Sequence, residues 1–200
     1  VVIAVSSVGV DFVGEKLKKM KNKNPILILT KGLYYQKAKQ RILTMSEQLN
    51  KFIKKGNISV LKGPCLAIEL ANKIKTSAVI ANKNIKTAKT IGKLISTNYY
   101  KFDYSKDVKG VEICSAIKNL YSMIIGSGEG LNTASVLFRN SIAEMVYLTK
   151  FFKGKEETVF SLAGVGDLYV SALGGRNSKM GKHLGKGFTY KRAKEKFMPN

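Results

Sequence analysis

Ile26-Leu27-Ile28-Leu29-Thr30-Lys31-Gly32 is the stretch that decides the fold. Four apolar residues in a row, without alternation and closed by Thr-Lys-Gly, read as a strand covered on both faces, as in a parallel sheet flanked by helices. Val1 to Ser6 has the same character upstream, and Ile58 to Lys62, Ser77 to Ala81 and Tyr99 to Tyr104 repeat it downstream. Between these runs Val10 to Met20, Tyr35 to Lys54, Leu66 to Lys73 and Asn84 to Ser96 carry helical spacing, for instance Ile42, Met45, Leu49, Phe52 and Ile53. Strand and helix alternate, so this part is expected to be α/β with a parallel sheet and right-handed crossovers.

Beyond residue 106 the pattern changes. Val108 to Ile125, Asn132 to Phe152, Glu156 to Leu162 and a segment after Arg176 read as helices, joined by Gly126-Ser127-Gly128-Glu129-Gly130 and Gly174-Gly175, and no convincing strand follows. The expected organisation is an α/β unit over 1–106 and an all-α unit over 107–200, with the changeover between Tyr104 and Lys109. There is no internal repeat.

A chain of 200 residues, 44% hydrophobic and 24% charged, has a globular composition and excludes disordered and collagen-like classes. Cys65 and Cys114 form no CxxC, and His183 is the single histidine, which removes zinc-ribbon and disulfide-framework readings and fits a reducing cytoplasm. No stretch reads as a bilayer span. The chain opens on Val1 and its first charged residue is Asp11, so the basic start of a signal peptide is missing and the expectation is an internal stretch of a longer polypeptide.

The net charge is +22, from 35 basic and 13 acidic residues. It opens a reading as a lysine-rich nucleic-acid-binding protein. Only Arg41, Arg139, Arg176 and Arg192 are arginines, which leaves 31 lysines, whereas phosphate and base recognition draws on arginine forks. Most lysines fall on polar helix faces and in turns, as a solvated coat would.

Three places could carry chemistry, and two more lie at strand ends. Lys118 sits in Ile113-Cys114-Ser115-Ala116-Ile117-Lys118-Asn119-Leu120-Tyr121, where apolar residues occupy nearly every helical angle. A buried amine loses part of its proton affinity and becomes a proton acceptor near neutral pH; a lysine that snorkels to the surface is the alternative. Asp167 is the lone charge of Ala163-Gly164-Val165-Gly166-Asp167-Leu168-Tyr169-Val170, either a partner for Lys118 or a helix N-cap. Gly174-Gly175-Arg176-Asn177 puts a guanidinium where a helix begins, which suits an oxyanion or phosphate as well as a surface turn. Lys31-Gly32 and Gly63-Pro64-Cys65 lie at carboxyl ends of expected strands, where open α/β sheets bind ligands. No GxGxxG follows a strand and no GxxxxGK[ST] occurs.

In order along the chain, Val1-Val2-Ile3-Ala4-Val5-Ser6-Ser7, Thr30-Lys31-Gly32-Leu33, Gly63-Pro64-Cys65-Leu66-Ala67, Gly110-Val111-Glu112 with Ala116-Ile117-Lys118-Asn119, Ala143-Glu144-Met145, Leu162-Ala163-Gly164-Val165-Gly166-Asp167-Leu168 and Arg176-Asn177 resemble the NAD(P)-dependent glycerol-3-phosphate dehydrogenases. The resemblance covers nearly the whole chain, and its specific part runs from Gly110 to Asn177. It implies a partial Rossmann-type sheet followed by a helical substrate-binding unit. The implied enzyme is cytoplasmic and interconverts sn-glycerol 3-phosphate and dihydroxyacetone phosphate with NAD or NADP, with a homodimer as a candidate assembly, no specific nucleic acid and no membrane span. A 6-phosphogluconate- or hydroxyacid-type dehydrogenase shares this plan; Arg176-Asn177 just beyond Asp167 favours the glycerol phosphate family.

The same resemblance assigns roles. Lys118 is the proton acceptor and Asp167 its support and a substrate contact. Gly175, Arg176 and Asn177 take the substrate phosphate, Arg176 also lying near the cofactor. Lys31 touches cofactor and substrate, Gly63 and Cys65 border the substrate cleft, Ala67 is a cofactor contact and Asn119 adjoins the catalytic lysine. Two positions depart from the pattern. Cys65 stands where the family usually has Ser or Thr, and Gly175 where it usually has Ser. The GxGxxG unit and the closing helices of the family are missing from the 200 residues, so the expectation is a chain that binds nicotinamide weakly when isolated and is inactive alone.

Overall fold

The computed structural model describes residues 1–53 and 57–198. A short strand β1 (Val2–Ile3) leads through a single 3-10 turn to helix α1 (Val10–Lys19) and strand β2 (Ile26–Ile28). The chain then forms β3 (Leu33–Gln36), β4 (Arg41–Thr44) and α2 (Met45–Leu49). Strands β5 (Ile58–Lys62), β6 (Thr76–Ala81) and β7 (Tyr100–Ser105) alternate with α3 (Ala67–Ala71) and α4 (Ile85–Ile95). From there the described residues are helical: α5 (Val108–Gly126), α6 (Leu131–Phe151), α7 (Glu156–Val159), a π-helical turn (Leu162–Gly166), α8 (Asp167–Gly174), α9 (Arg176–Gly185) and α10 (Tyr190–Phe197).

Five strands lie in the order β1-β2-β5-β6-β7, and β3 with β4 forms a separate hairpin. Pairing is parallel from β1 to β2, β2 to β5 and β6 to β7. Between β5 and β6 it is antiparallel, with Leu61 opposite Ile80, so the sheet is parallel except at one junction. Composition could not reveal this, because a strand buried on both faces, as β6 is from Ala78 to Ala81, shows the same apolar run in either direction. The reversal starts at Gly63, whose φ is +134° and where a Cβ would stand 3.1 Å from the Cα of Ala78. Only glycine takes that conformation against a neighbouring backbone without strain.

The helix expected over Tyr35 to Lys54 is instead a hairpin and a short helix, Lys54 itself lying outside the described residues. Gln40 turns the hairpin with φ +45°, a left-handed conformation that its residue type does not advertise. Thr44 then starts α2 with a capping box: its hydroxyl accepts from the Glu47 amide and the Glu47 carboxylate accepts from the Thr44 amide. Thr44-Met45-Ser46-Glu47 is that motif in plain sequence.

Two packed layers meet on α5. Ile3, Ile26, Ile28, Val60 and Val79 of the sheet share a core with Val10 and Leu17 of α1, with Met45 and Leu49 of α2, and with Val111 of α5 and Ala163 of the π-helical turn. The other sheet face packs Leu27 and Ile80 against Ala88 of α4. Further along α5, Cys114 and Tyr121 with Met145, Val159 and Leu168 make the core of the helices. Asp107 ties the start of α5 to α7: one carboxylate oxygen accepts from the Gly110 amide at 2.9 Å, the other from the Lys155 amide at 2.8 Å and the Thr158 hydroxyl at 2.6 Å. Helix α9 lies directly on α5 at Gly181, where a Cβ would come within 1.9 Å of the Met123 carbonyl oxygen.

Candidate active site

The carboxyl ends of β2 and β5 face α5 and the start of α8, and the charged side chains of the molecule's interior gather there. Asp167, the first residue of α8, is buried. Its Oδ1 accepts a hydrogen bond from Lys118 Nζ at 2.7 Å and its Oδ2 one from Lys31 Nζ at 3.1 Å. Lys118 Nζ also donates to Ser171 Oγ at 2.5 Å. The Lys118 side chain is 8% exposed and that of Lys31 39%, so the carboxylate is shared between a sealed amine and one at the mouth of the site.

Burial lowers the proton affinity of Lys118; Asp167 opposes that shift and the nearby positive charge of Lys31 adds to it. The physics is plain in sign: an ammonium in low dielectric is disfavoured, and a second cation within reach disfavours it further. Lys118 is thus an amine held below its usual basicity, oriented by a carboxylate and a hydroxyl. Such a group can take a proton from an alcohol and return it.

The structure brings Lys118, Asp167 and Lys31 into contact and leaves the other singled-out residues apart from them. Gly63 is buried at the end of β5, whereas Cys65 and Ala67 just beyond are exposed. The Cys65 thiol lies beside the Tyr100 hydroxyl, whose proton affinity is raised first by burial and then by that thiol. Asn119 is half-buried, and its carbonyl accepts from the Ser122 hydroxyl at 3.0 Å. Gly175 precedes the first turn of α9, which begins with an exposed Arg176 and a half-buried Asn177. Arg176 makes no hydrogen bond or ion pair among the described residues, and with Asn177 it borders a hollow lined by Met123, Tyr190 and Phe197. One turn links it to the amine cluster: the Ser171 carbonyl accepts from the Gly175 amide at 3.0 Å while the Ser171 hydroxyl accepts from Lys118.

Three members of the cluster escaped the sequence reading. Ser171 stands four residues after Asp167, on the same helical face, which spacing alone would have revealed. Glu112 is fully buried on α5, accepting from the Ser46 amide at 3.0 Å and from the Ser46 hydroxyl; burial pushes its carboxyl up. Lys62 ends β5, where a terminal lysine reads as an ordinary strand boundary. Its amine is in fact buried and donates to the carbonyls of Leu29 and Thr30.

A mostly parallel α/β sheet covered by helices on both faces, with a buried lysine–aspartate pair at its strand ends, defines the class: an open α/β fold with an ion pair at the edge where such sheets take their ligands. Comparison with known proteins gives the family. Residues 1–88 match the family described as NAD-dependent glycerol-3-phosphate dehydrogenase N-terminus, and residues 107–199 match NAD-dependent glycerol-3-phosphate dehydrogenase C-terminus. Glycerol-3-phosphate dehydrogenase (NAD(P)+) of Clostridium acetobutylicum is 32% identical over 203 residues, an alignment spanning 98% of this chain and 60% of that protein. The NADP(+)-dependent glycerol-3-phosphate dehydrogenase of Archaeoglobus fulgidus is 30% identical, over 98% of this chain and 61% of its own length. Among solved structures, glycerol-3-phosphate dehydrogenase from Coxiella burnetii superposes with a TM-score of 0.87 at 28% identity, covering 100% of this chain and 62% of that one. The chain belongs to the NAD-dependent glycerol-3-phosphate dehydrogenase family. It spans about 60% of the length of the curated relatives it matches.

These matches set aside the nucleic-acid reading of the +22 charge. The lysines form a coat: among the described residues all are exposed except Lys62 and Lys118, which are buried, and Lys109, which is half-buried. Among the described residues no single helix is long and apolar enough to cross a membrane.

Proposed function

We propose that this chain supplies the proton-transfer and substrate-holding half of an oxidoreductase that interconverts sn-glycerol 3-phosphate and dihydroxyacetone phosphate by hydride transfer with NAD or NADP. The single observation that carries the reading is the buried Lys118 amine hydrogen-bonded to Asp167 and Ser171. In the oxidation direction Lys118 Nζ takes the hydroxyl proton of the substrate, and Asp167 Oδ1 steadies the ammonium that forms. Lys31 donates to the other carboxylate oxygen and so holds Asp167 turned toward the site. Arg176, Asn177 and the free amides at the start of α9 hold the phosphate, the guanidinium by its fork and the amides by the positive end of the helix. With Gly175 in place of a hydroxyl-bearing residue, that position offers the phosphate no side-chain donor, and its amide, expected from sequence to serve, is already given to the Ser171 carbonyl.

Several features of the chain fit a nicotinamide cofactor. Gly32 and Gly63 both have φ +134° and leave the ends of β2 and β5 without side chains, with the Lys31 amine half-exposed beside them. Lys31, Ala67 and Arg176 would hold it, alongside the substrate-cleft positions Gly63, Cys65 and Asn119. When bound, it supplies the hydride acceptor. The same reading divides the chain into residues 1–106, the carboxyl-terminal part of a dinucleotide-binding unit, and 107–200, the helical substrate unit, and places the protein in the cytoplasm as a homodimer.

The test is Lys118→Met, which keeps the length of the side chain and removes the amine. Turnover of glycerol 3-phosphate by the holoenzyme is expected to fall by about a hundredfold or more, the scale of general acid-base catalysis, with the fold retained. Near-normal turnover would overturn the assignment.

A further inference from the structure

Lys62 is the second buried lysine and has no part in the proton transfer described above. Its amine donates to the carbonyl of Leu29 at 3.0 Å and to that of Thr30 at 2.6 Å. These are the two residues before Lys31. The β2–β5 ladder ends with Ile28 opposite Val60, so past that point the side chain of Lys62 does what backbone pairing did before it. On the other side, the Thr30 hydroxyl donates to the Val5 carbonyl at 2.8 Å. The end of β2 is therefore tethered from both flanks immediately before it turns through Gly32 and presents Lys31 to Asp167.

A buried ammonium is a costly way to satisfy two carbonyls, which a neutral donor could serve. Three charged groups from the surrounding elements face it: Glu112 on α5, Lys31 after β2 and Asp167 on α8. The carboxylates favour its charged form, and the ammonium retains three donors with which to grip the strand end. Lys62 stays out of the reaction itself, since both its acceptors are backbone carbonyls and its side chain is buried.

We propose that Lys62 is a positioning residue: by gripping the Leu29 and Thr30 carbonyls it fixes the strand end that aims the Lys31 amine at Asp167, and so sets the surroundings in which Lys118 titrates. The proposal rests on the reading of Lys118 and Asp167 as the proton-transfer pair. Lys31 lowers the proton affinity of Lys118, while Lys62 is not among the groups acting on Lys118 directly. Lys62 also faces Asp167, so the neutral Gln variant and the Lys31→Ala background separate an effect carried by the position of Lys31 from one carried by the lost charge.

The experiment is an NMR titration of the lysine amines in protein labelled with 13C-lysine, comparing wild type with Lys62→Met, Lys62→Ser and Lys62→Gln. Met and Ser cannot reach the two carbonyls with a donor, so in either variant that folds the Lys118 midpoint is expected to rise by roughly one pH unit as Lys31 swings away. Gln keeps two N–H donors and is expected to hold Lys118 within a few tenths of a unit of wild type. Lys31→Ala should reproduce the Met shift, and adding Lys62→Met to it should shift Lys118 no further. A folded Met or Ser variant with an unmoved Lys118 midpoint, or a shift that persists on the Lys31→Ala background, would overturn the proposal. Because the readout is a midpoint and not turnover, retained activity in Lys118→Met would sink the base assignment while leaving the effect of Lys62 to be judged separately.

Discussion

At the end of β5 the Lys62 ammonium is surrounded by the carbonyl dipoles of Leu29 and Thr30; in the middle of α5 the Lys118 ammonium meets a carboxylate and a hydroxyl. Both amines are buried and both titrate below the usual lysine range, Lys62 at about 8. A shifted pKa would nominate either as the base. Their partners separate them. Backbone carbonyls cannot give up position or charge, so the sheet region uses its lysine as a tether. A carboxylate favours the Lys118 ammonium while the nearby charge of Lys31 opposes it, a balance that suits the proton-carrying role proposed for the lysine of the helical region.

The comparison breaks most visibly at Asp167. Asp167→Asn removes the carboxylate that Lys118 and Lys31 share, and separating a buried pair costs roughly 3–5 kcal/mol. Denaturant unfolding at pH 7 is expected to show a loss of that order, with the Lys118 midpoint falling further because the charge that raised it is gone. A loss confined to a few tenths of a kcal/mol would mean that the carboxylate is solvated.

Lys62 yields a pH signature. Its proton binds less tightly in the folded state, at about 8, than in the unfolded chain, near 10.5. Between those values the unfolded state holds more protons, so this residue's contribution to stability rises with pH, whereas below pH 8 the full cost of burying the charge remains. Wild type should therefore gain on Lys62→Met by up to roughly 3 kcal/mol between pH 8 and 10.5, measured as the difference between their urea midpoints. A flat difference would place Lys62 in solvent.

Arg176 tests whether the helical site extends past its proton pair. Arg176→Lys keeps the charge and loses the fork, so affinity for glycerol 3-phosphate should weaken about tenfold while glycerol, which lacks the phosphate, is used no worse. Equal losses for both substrates would make Arg176 a structural residue of the α9 turn.

Much of the architecture was legible in periodicity. The long helices α5 and α6 and the strands β5, β6 and β7 fall within a residue or two of where apolar spacing puts them. The misreadings have local causes. Residues 42–53 carry a helical pattern, but Ile42 and Leu43 belong to β4 while Met45 and Leu49 belong to α2; two short elements in series imitated one long one. The hairpin turn hid because Gln40 has a positive φ without being Gly or Asn. At the site, Lys118 and Asp167 stood out because each is a lone charge in an apolar or small-residue setting. Lys62 did not, because a lysine at a strand end is the commonest of boundaries.

The sequence by itself determined most of the strands and helices outside residues 35–54, where the strands give way to helices, and that Lys118 and Asp167 were the charges to examine for burial, since these follow from the period and polarity of neighbours along the chain. Only the tertiary structure decided that β6 runs against β5, that Lys31 and Lys118 share the two oxygens of one carboxylate, and that Lys62 turns inward onto the end of β2. Strand direction and side-chain pairing depend on contacts between residues far apart in the chain, 136 positions for Lys31 and Asp167, and no local pattern encodes a distance of that kind.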